Sequence, residues 1–184
     1  MRDFVLITGN QNKADNLAKW LGSPVAHHKL DLDEIQSLDL RKIVEHKVRQ
    51  AYKILNRPVL VEDVALTFTA MGRLPGPLIK WFLDELGNQG LCNLVDGLEH
   101  RKAVASICYA LYDGRTVHYF ESHVAGTVAA KPLGTYSFGW GPIFIADGLR
   151  KTYAEMTDDE IRPYNMRAKA IDKLKKFLQK KEGL

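Results

Sequence analysis

The chain has 184 residues, of which 46% are hydrophobic and 26% charged, and its formal net charge is +4. This composition is ordinary for a soluble globular protein and excludes the collagen-like, low-complexity and disordered classes. The longest apolar runs fall far short of the roughly 20 residues that cross a bilayer, and the apolar stretch after Met1 is too short for a signal peptide. We therefore expect one cytoplasmic domain over residues 1–184, with no membrane partner.

The first third of the chain predicts alternating strands and helices. In order, these are a strand at Phe4–Ile7, a helix at Ala14–Leu21 closed by Gly22, a short strand at Val25–Leu30, a helix at Leu40–Leu55 and a strand at Pro58–Val61. Strands and helices that alternate in this way are typical of an α/β fold with a largely parallel sheet.

The remainder predicts a different arrangement. Short helices are expected at Leu78–Leu86 and Gly90–Leu98, two long strands at Ala103–Tyr112 and Thr116–Val128, and an amphipathic last helix at Arg167–Lys181. Asp113-Gly114 between the long strands is a strong hairpin signal. The predicted fold class is therefore α/β, with a mixed central sheet and an antiparallel extension.

The turn Thr8–Lys13 is the first candidate for a functional site. It joins a strand to a helix, and a helix N-terminus offers free N–H groups and the positive end of a dipole. Gly9 allows close approach of a ligand, while Thr8, Asn10 and Lys13 add polar and charged groups that suit phosphate. An ordinary N-cap turn with an exposed lysine explains the same residues equally well.

Two acidic groups form the second candidate. Glu62-Asp63 follows a predicted buried strand, and Asp31, Asp33 and Glu34 follow a shorter one. Ligands of open α/β sheets bind at the carboxyl ends of strands, where acids can hold Mg²⁺ or activate water. Solvated loop acids are the alternative.

The stretch Gly134–Pro142 is the third candidate. Its three aromatic residues among glycines could stack on a planar base or could form a tight turn that closes the core. The six histidines have no metal-binding spacing, and Cys92 and Cys108 are expected to be reduced core thiols.

The basic residues are concentrated near the C-terminus, where residues 165–184 carry a charge of +5. A nucleic-acid-binding domain more often spreads basic residues over a patch that also contains aromatic residues. We therefore interpret this segment as a solvated helix face and rank nucleic-acid binding low.

Five motifs in chain order carry a family resemblance that runs from Val5 to about Leu178. They are Thr8-Gly9-Asn10-x-x-Lys13, Val61-Glu62-Asp63, Gly72-x-Leu74-Pro75-Gly76-Pro77-x-Ile79-Lys80-Trp81-Phe82, Phe138-Gly139-Trp140-x-Pro142-x-Phe144 and Thr152-Tyr153-Ala154-Glu155-Met156. Together they resemble the inosine triphosphate pyrophosphatase family.

The resemblance implies a homodimer with an elongated mixed α/β fold, in which two lobes flank a nucleotide cleft. It also implies a Mg²⁺-dependent hydrolase that cleaves nucleoside triphosphates to a monophosphate and pyrophosphate. The implied substrates are deaminated purine nucleotides such as ITP, dITP and XTP.

The resemblance also implies roles for individual residues. The triphosphate would be held by Thr8, Asn10 and Lys13, with added positive charge from Lys47 and Lys80. Mg²⁺ would be held by Glu34 and Asp63, and the attacking water would be positioned or deprotonated by Asp63 with Glu62 beside it. The base would lie between Phe138 and Trp140, with Arg167 at its edge.

The chain departs from the family pattern at several positions, most of them where the family recognises the base. Asn16 replaces a Glu, Val64-Ala65 replace Thr or Ser and then Gly or Cys, Gly141 replaces an Asp, Ile161 replaces a Lys, and Asn165-Met166 replace Ser-His. Met166 cannot donate a hydrogen bond to a base, so we expect altered base selectivity. The alternative hypothesis is a catalytically impaired nucleotide-binding protein, in which the changes at Asn16 and Ile161 have abolished turnover.

Overall fold

The computed structural model describes residues 4–135 and 139–182. The strands are β1 Val5–Ile7, β2 His27–His28, β3 Val59–Phe68, β4 Pro75–Gly76, β5 Lys102–Tyr112, β6 Val117–Val128 and β7 Phe144–Ala146. The helices are α1 Gln11–Leu21, α2 Leu40–Leu55, α3 Ile79–Asn93, α4 Asp158–Ile161 and α5 Met166–Glu182. Short 3₁₀ turns lie at Thr69–Met71, Gly141–Ile143, Tyr153–Glu155 and Arg162–Tyr164.

The sheet is mixed, as the sequence predicts. Its strand order is β2-β1-β3-β5-β6-β7, and β4 pairs with β3. Strand β1 runs parallel to both β2 and β3, whereas β4 and β7 pair antiparallel with their neighbours. The α/β fold class with an antiparallel extension is therefore confirmed.

The chain groups into two compact units, which we describe separately. Unit 1 comprises Met1–Asp63, Ile107–Ser122 and Arg167–Leu184, and unit 2 comprises Val64–Ser106 and His123–Met166. The cleft expected between two lobes stays a prediction.

In unit 1, helix α2 covers one face of the sheet. Its buried stripe packs with residues from β1, β3 and β5 in one cluster formed by Val5, Ile7, Val44, Val48, Ala51, Val59, Val61, Cys108 and Ala110. Each fully buried aliphatic side chain contributes about 1.5–3 kcal/mol. The predicted bounds of α2 match the structure, because this stripe repeats at helical spacing over four turns.

Alternation along the strands assigns the remaining side chains of unit 1 to the opposite face. Val59 and Val61 lie on the α2 face, so Asp63 shares that face, while Leu60 and Glu62 point away from it. The same rule separates Cys108 and Ala110 from Tyr109 on β5. Both free thiols are buried as predicted, and burial raises the pKa of Cys108 to about 12.

Several predicted bounds were wrong. Helix α1 begins at Gln11 instead of Ala14. Strand β3 does not end at Val61 but continues through Glu62-Asp63 to Phe68, because both acids have cationic partners that make a strand interior tolerable. Strand β2 is limited to His27–His28. The second half of α3 ends at Asn93 instead of Leu98, and Gly87 (φ 63°) interrupts the helix between its two halves.

In unit 2, Arg101 ties three segments together. Its guanidinium donates to the backbone carbonyls of Cys92, Val128 and Ala129, at 3.1, 2.9 and 2.5 Å. Buried carbonyls need such partners, so this side chain fixes the end of α3 against the end of β6.

Candidate active site

The Thr8–Lys13 turn is the N-terminal cap of α1. Asn10 is the N-cap residue, and its Oδ1 accepts a hydrogen bond from the Lys13 backbone N–H at 3.4 Å. The Asn10 N–H in turn donates to Thr8 Oγ1 at 3.0 Å. A Cβ at Gly9 would meet the flexible side chain of Lys29 at 3.1 Å. The turn is thus an N-cap, and it also offers the anion-binding features of a helix N-terminus.

Glu62 lies on β3 facing α1 and α5, and it pairs with two cations. Its Oε1 lies 2.9 Å from Lys13 Nζ, and its Oε2 is paired with the Arg167 guanidinium. The side chain of Glu62 is only 2% exposed. A buried carboxylate is stable only when it is paired and hydrogen-bonded, which explains why two cations converge on it.

Asp63, the next residue, lies on the opposite face with α2. Lys47 Nζ donates to Asp63 Oδ2 at 2.8 Å and to Glu34 Oε1 at 2.7 Å. Burial alone would lower the pKa of Lys47, but the attraction of Asp63 and hydrogen bonds to both acids outweigh it and raise the pKa. Glu34 is 61% exposed and Asp63 is 22% exposed, so this group opens to solvent.

Glu34 and Asp63 are two acids of the site whose carboxylate oxygens could hold a divalent cation. Two carboxylate oxygens from different segments already converge on one positive charge, that of Lys47. Mg²⁺ is usually bound by one or two carboxylates together with waters and substrate phosphates. Within residues 4–135 and 139–182, no group of three or more His, Cys, Asp or Glu forms a site made by the protein alone.

Lys13 and Arg167 are both electrostatically perturbed. Burial, and then the positive charge of Arg167, lower the pKa of Lys13 to about 8. Burial lowers the pKa of Arg167 to about 10. Both side chains therefore carry a positive charge at neutral pH, close to the N-terminus of α1.

The other predicted site residues belong to unit 2. Lys80 is exposed in the first turn of α3. The Trp140 ring lies 5.6 Å from Phe144 in an edge arrangement and 6.3 Å from Tyr153. This packing favours the core-closing interpretation for Trp140, which is still half-exposed. Phe138 lies outside the described residues.

The positions that depart from the family pattern are mostly buried. Ile161 and Met166 are 8% and 5% exposed, and Gly141 is also buried. Asn165 and Asn16 are half-buried. At Ile161 and Met166, apolar side chains therefore serve the packing of unit 2.

Tyr109 is a site residue that sequence reasoning missed. It lies in an apolar run of β5, is fully buried, and accepts a hydrogen bond from Arg167 Nη1 at 3.1 Å. The sequence around Tyr109 shows only a tyrosine within an apolar strand. An ordinary core tyrosine has the same surroundings, so the sequence does not indicate a role in the site.

The chain belongs to the Ham1 family, whose model matches residues 4–177. The chain is 40% identical to the inosine triphosphate pyrophosphatase of Yarrowia lipolytica, with 96% of each chain covered. It is 37% identical to that of Schizosaccharomyces pombe, with 100% of this chain and 98% of the relative covered. It is 42% identical to inosine triphosphate pyrophosphatase 2 of Trypanosoma cruzi, with 92% and 89% covered. The family resemblance of the sequence motifs is confirmed.

Solved structures agree on the fold. The Ham1 protein of Staphylococcus aureus superimposes with a TM-score of 0.80 at 22% identity, covering 97% of this chain and 98% of that one. A HAM1 protein from Coxiella burnetii gives 0.83 at 21% identity, with 96% and 98% covered. None of the described helices has the length and apolar character needed to cross a bilayer.

Proposed function

We propose that this protein is a Mg²⁺-dependent nucleoside triphosphate pyrophosphatase that hydrolyses (d)NTP to (d)NMP and pyrophosphate. The observation that carries the proposal is the arrangement in unit 1 of three cations and three carboxylates beside the N-terminus of α1. The relatives that are 37–42% identical are named inosine triphosphate pyrophosphatases, which supports the same activity here.

The chain's own residues provide the positive charge that phosphoryl transfer requires. Little covalent chemistry is needed in such reactions, so positioning and charge neutralisation dominate. Thr8, Asn10 and the N-terminus of α1 hold phosphate oxygens, while Lys13 retains N–H groups beyond its contact with Glu62. Lys47 adds further positive charge, and the family resemblance assigns the same role to Lys80.

Glu34 and Asp63 would hold Mg²⁺ through their carboxylate oxygens, which lie on either side of the Lys47 ammonium. When bound, Mg²⁺ neutralises charge on the substrate phosphates and orients them. Asp63 positions the attacking water and accepts its proton at a carboxylate oxygen. Glu62 does not share this role, because both of its oxygens face cations on the other side of β3.

We further propose that the substrates are non-standard purine nucleotides of the ITP, dITP and XTP type, recognised with altered selectivity. Gly141 offers no side-chain acceptor and Met166 no donor. A missing donor or acceptor in a binding pocket removes discrimination between bases. The assignment of Phe138, Trp140 and Arg167 to the base rests on the family resemblance alone. A cytoplasmic homodimer completes the proposal.

The test is pyrophosphate release with Mg²⁺ across ITP, dITP, XTP, the standard ribo- and deoxynucleotides and N6- or 2-substituted purine nucleotides. Asp63→Asn serves as the inactive variant, and Asp84→Asn, at an exposed position on α3, as its matched control. We expect activity on several purine nucleotides with the Asp84 variant unaffected. Activity confined to ITP, dITP and XTP would contradict altered selectivity. Tight nucleotide binding without release from any substrate would support the nucleotide-binding alternative.

A further inference from the structure

The hydroxyl of Tyr109 is buried in unit 1, where it contacts the charged side chain of Arg167. The whole side chain is inaccessible to solvent, and an unpartnered buried hydroxyl is costly. The described partner is Arg167 Nη1, which donates to the hydroxyl at 3.1 Å. That same nitrogen is also paired with Glu62 Oε2.

The contacts continue from Glu62 to the N-terminus of α1. Glu62 Oε1, the second oxygen of the carboxylate, lies 2.9 Å from Lys13 Nζ. We call the series Tyr109–Arg167–Glu62–Lys13 the Tyr109 relay. Its four members come from β5, α5, β3 and α1, so it links the centre of the sheet to the Thr8–Lys13 turn.

The geometry of the arginine explains what Tyr109 contributes. A guanidinium and a carboxylate prefer to pair through two parallel hydrogen bonds, which occupy both carboxylate oxygens. In this structure the nitrogen nearest Glu62 is shared with the Tyr109 hydroxyl. Arg167 meets Glu62 at Oε2, and Lys13 meets it at Oε1.

We propose that Tyr109 is a positioning residue for polyphosphate binding, which acts through Arg167 and Glu62 to hold the Lys13 ammonium beside the N-terminus of α1. This inference rests on the proposed function, because it assumes that Lys13 contacts substrate phosphate. A lysine fixed in this way loses less side-chain entropy on binding than a mobile one.

Two further features of Tyr109 agree with this role. Burial raises the pKa of its hydroxyl, so the group stays neutral and adds no charge to a site that already contains two cations. Asp63 lies on the other face of β3, so the residue that activates water is outside the relay. Removing the hydroxyl should therefore affect binding and leave the chemical step unchanged.

The experiment compares Tyr109→Phe with the unaltered protein in two assays. Calorimetric titration with inorganic tripolyphosphate measures affinity without turnover, and pyrophosphate release from ITP with Mg²⁺ gives KM and kcat. We expect the Kd and KM of Tyr109→Phe to rise on the order of tenfold, the factor that a hydrogen bond to a charged group contributes, while kcat changes less than twofold. Tyr119→Phe is the matched control, because its hydroxyl donates to Glu45 instead.

A double-mutant cycle separates positioning from a general structural effect. If Tyr109 acts through Arg167, Tyr109→Phe will add nothing to the Kd of Arg167→Met. An unchanged Kd in Tyr109→Phe, a tenfold effect that persists without Arg167, or a loss confined to kcat would each overturn the proposal. Failure of the unaltered protein to bind tripolyphosphate would also overturn it. Binding without pyrophosphate release would refute the proposed function alone, and the cycle would still test the relay.

Discussion

Glu62 and Asp63 are neighbours in sequence, yet they face opposite sides of β3 and have different surroundings. Glu62 is enclosed, with one cation on each of its oxygens. Asp63 shares Lys47 with the exposed Glu34 and lies closer to solvent. A closed group with matched partners is suited to hold geometry, whereas two acids that open to solvent would be accessible to a metal ion. In the proposed mechanism, one strand therefore carries both the scaffold and the chemistry of the site.

Asp63→Asn should have the largest effect, and it tests whether Asp63 carries out the chemistry. We expect pyrophosphate release to fall about a thousandfold, because a positioned general base contributes 10²- to 10⁴-fold. The melting temperature should change little, because Asp63 is partly exposed and Lys47 keeps its contact with Glu34. Full activity in this variant would remove Asp63 from the mechanism, and the Asp84→Asn control should behave as the unaltered protein.

Glu62→Gln should affect stability instead. The change leaves Arg167 and Lys13 facing a neutral partner, and removal of one member of a buried ion pair costs about 3 kcal/mol. Urea unfolding should report this loss in the free energy of unfolding. Glu85→Gln, at an exposed position, is the control and should stay within about 0.5 kcal/mol. A Glu62 variant as stable as the control would show that the enclosed pair is not a scaffold.

This contrast also explains what could be predicted from sequence. The stripe of α2 and the Gly22 cap of α1 depend on neighbours in the chain, and both were found. The continuation of β3 was missed, because an acidic pair resembles the end of a strand. The burial of Glu62 depends on Lys13 and on Arg167, which is 105 residues away in sequence. A pattern of neighbouring residues cannot show a partner at that separation.

The same limit applies to the candidate site. The structure brings together in unit 1 most of the acids and lysines that the resemblance assigned, but it places Lys80 in unit 2. The shared role that the resemblance gave Glu62 and Asp63 stays a prediction. The alternation of strand side chains separates them once both are known to lie within a strand. The contact of Tyr109 with Arg167 could not be predicted from sequence, because many core strands contain a tyrosine among apolar residues.

Glu34→Gln tests whether Glu34 is a ligand of Mg²⁺. We expect the Mg²⁺ concentration that gives half-maximal pyrophosphate release to rise about tenfold, the lower end of the effect of losing a metal-site partner. Asp33→Asn is the neighbouring control, since Asp33 is engaged with Gln50. An unchanged Mg²⁺ requirement would leave Asp63 without its proposed co-ligand.

The smallest expected effect concerns pH. The pKa of Lys13 is lowered to about 8, chiefly by burial, so its positive charge is complete below pH 7 and is lost as the pH rises through 8. Tripolyphosphate affinity should therefore fall severalfold between pH 7 and pH 9.5. Lys13→Arg keeps its charge over this range and should abolish the decline, whereas Lys53→Arg, an exposed control, should retain it. An identical decline in Lys13→Arg would assign it to another group.

A phosphorus NMR spectrum of the products formed from ITP, with and without Mg²⁺, tests most directly whether the protein is a Mg²⁺-dependent pyrophosphatase. We expect equal amounts of inosine monophosphate and pyrophosphate, formed only when Mg²⁺ is present. Orthophosphate in place of pyrophosphate, or the same products at the same rate in excess EDTA, would contradict the assignment of this site as a Mg²⁺-dependent pyrophosphatase.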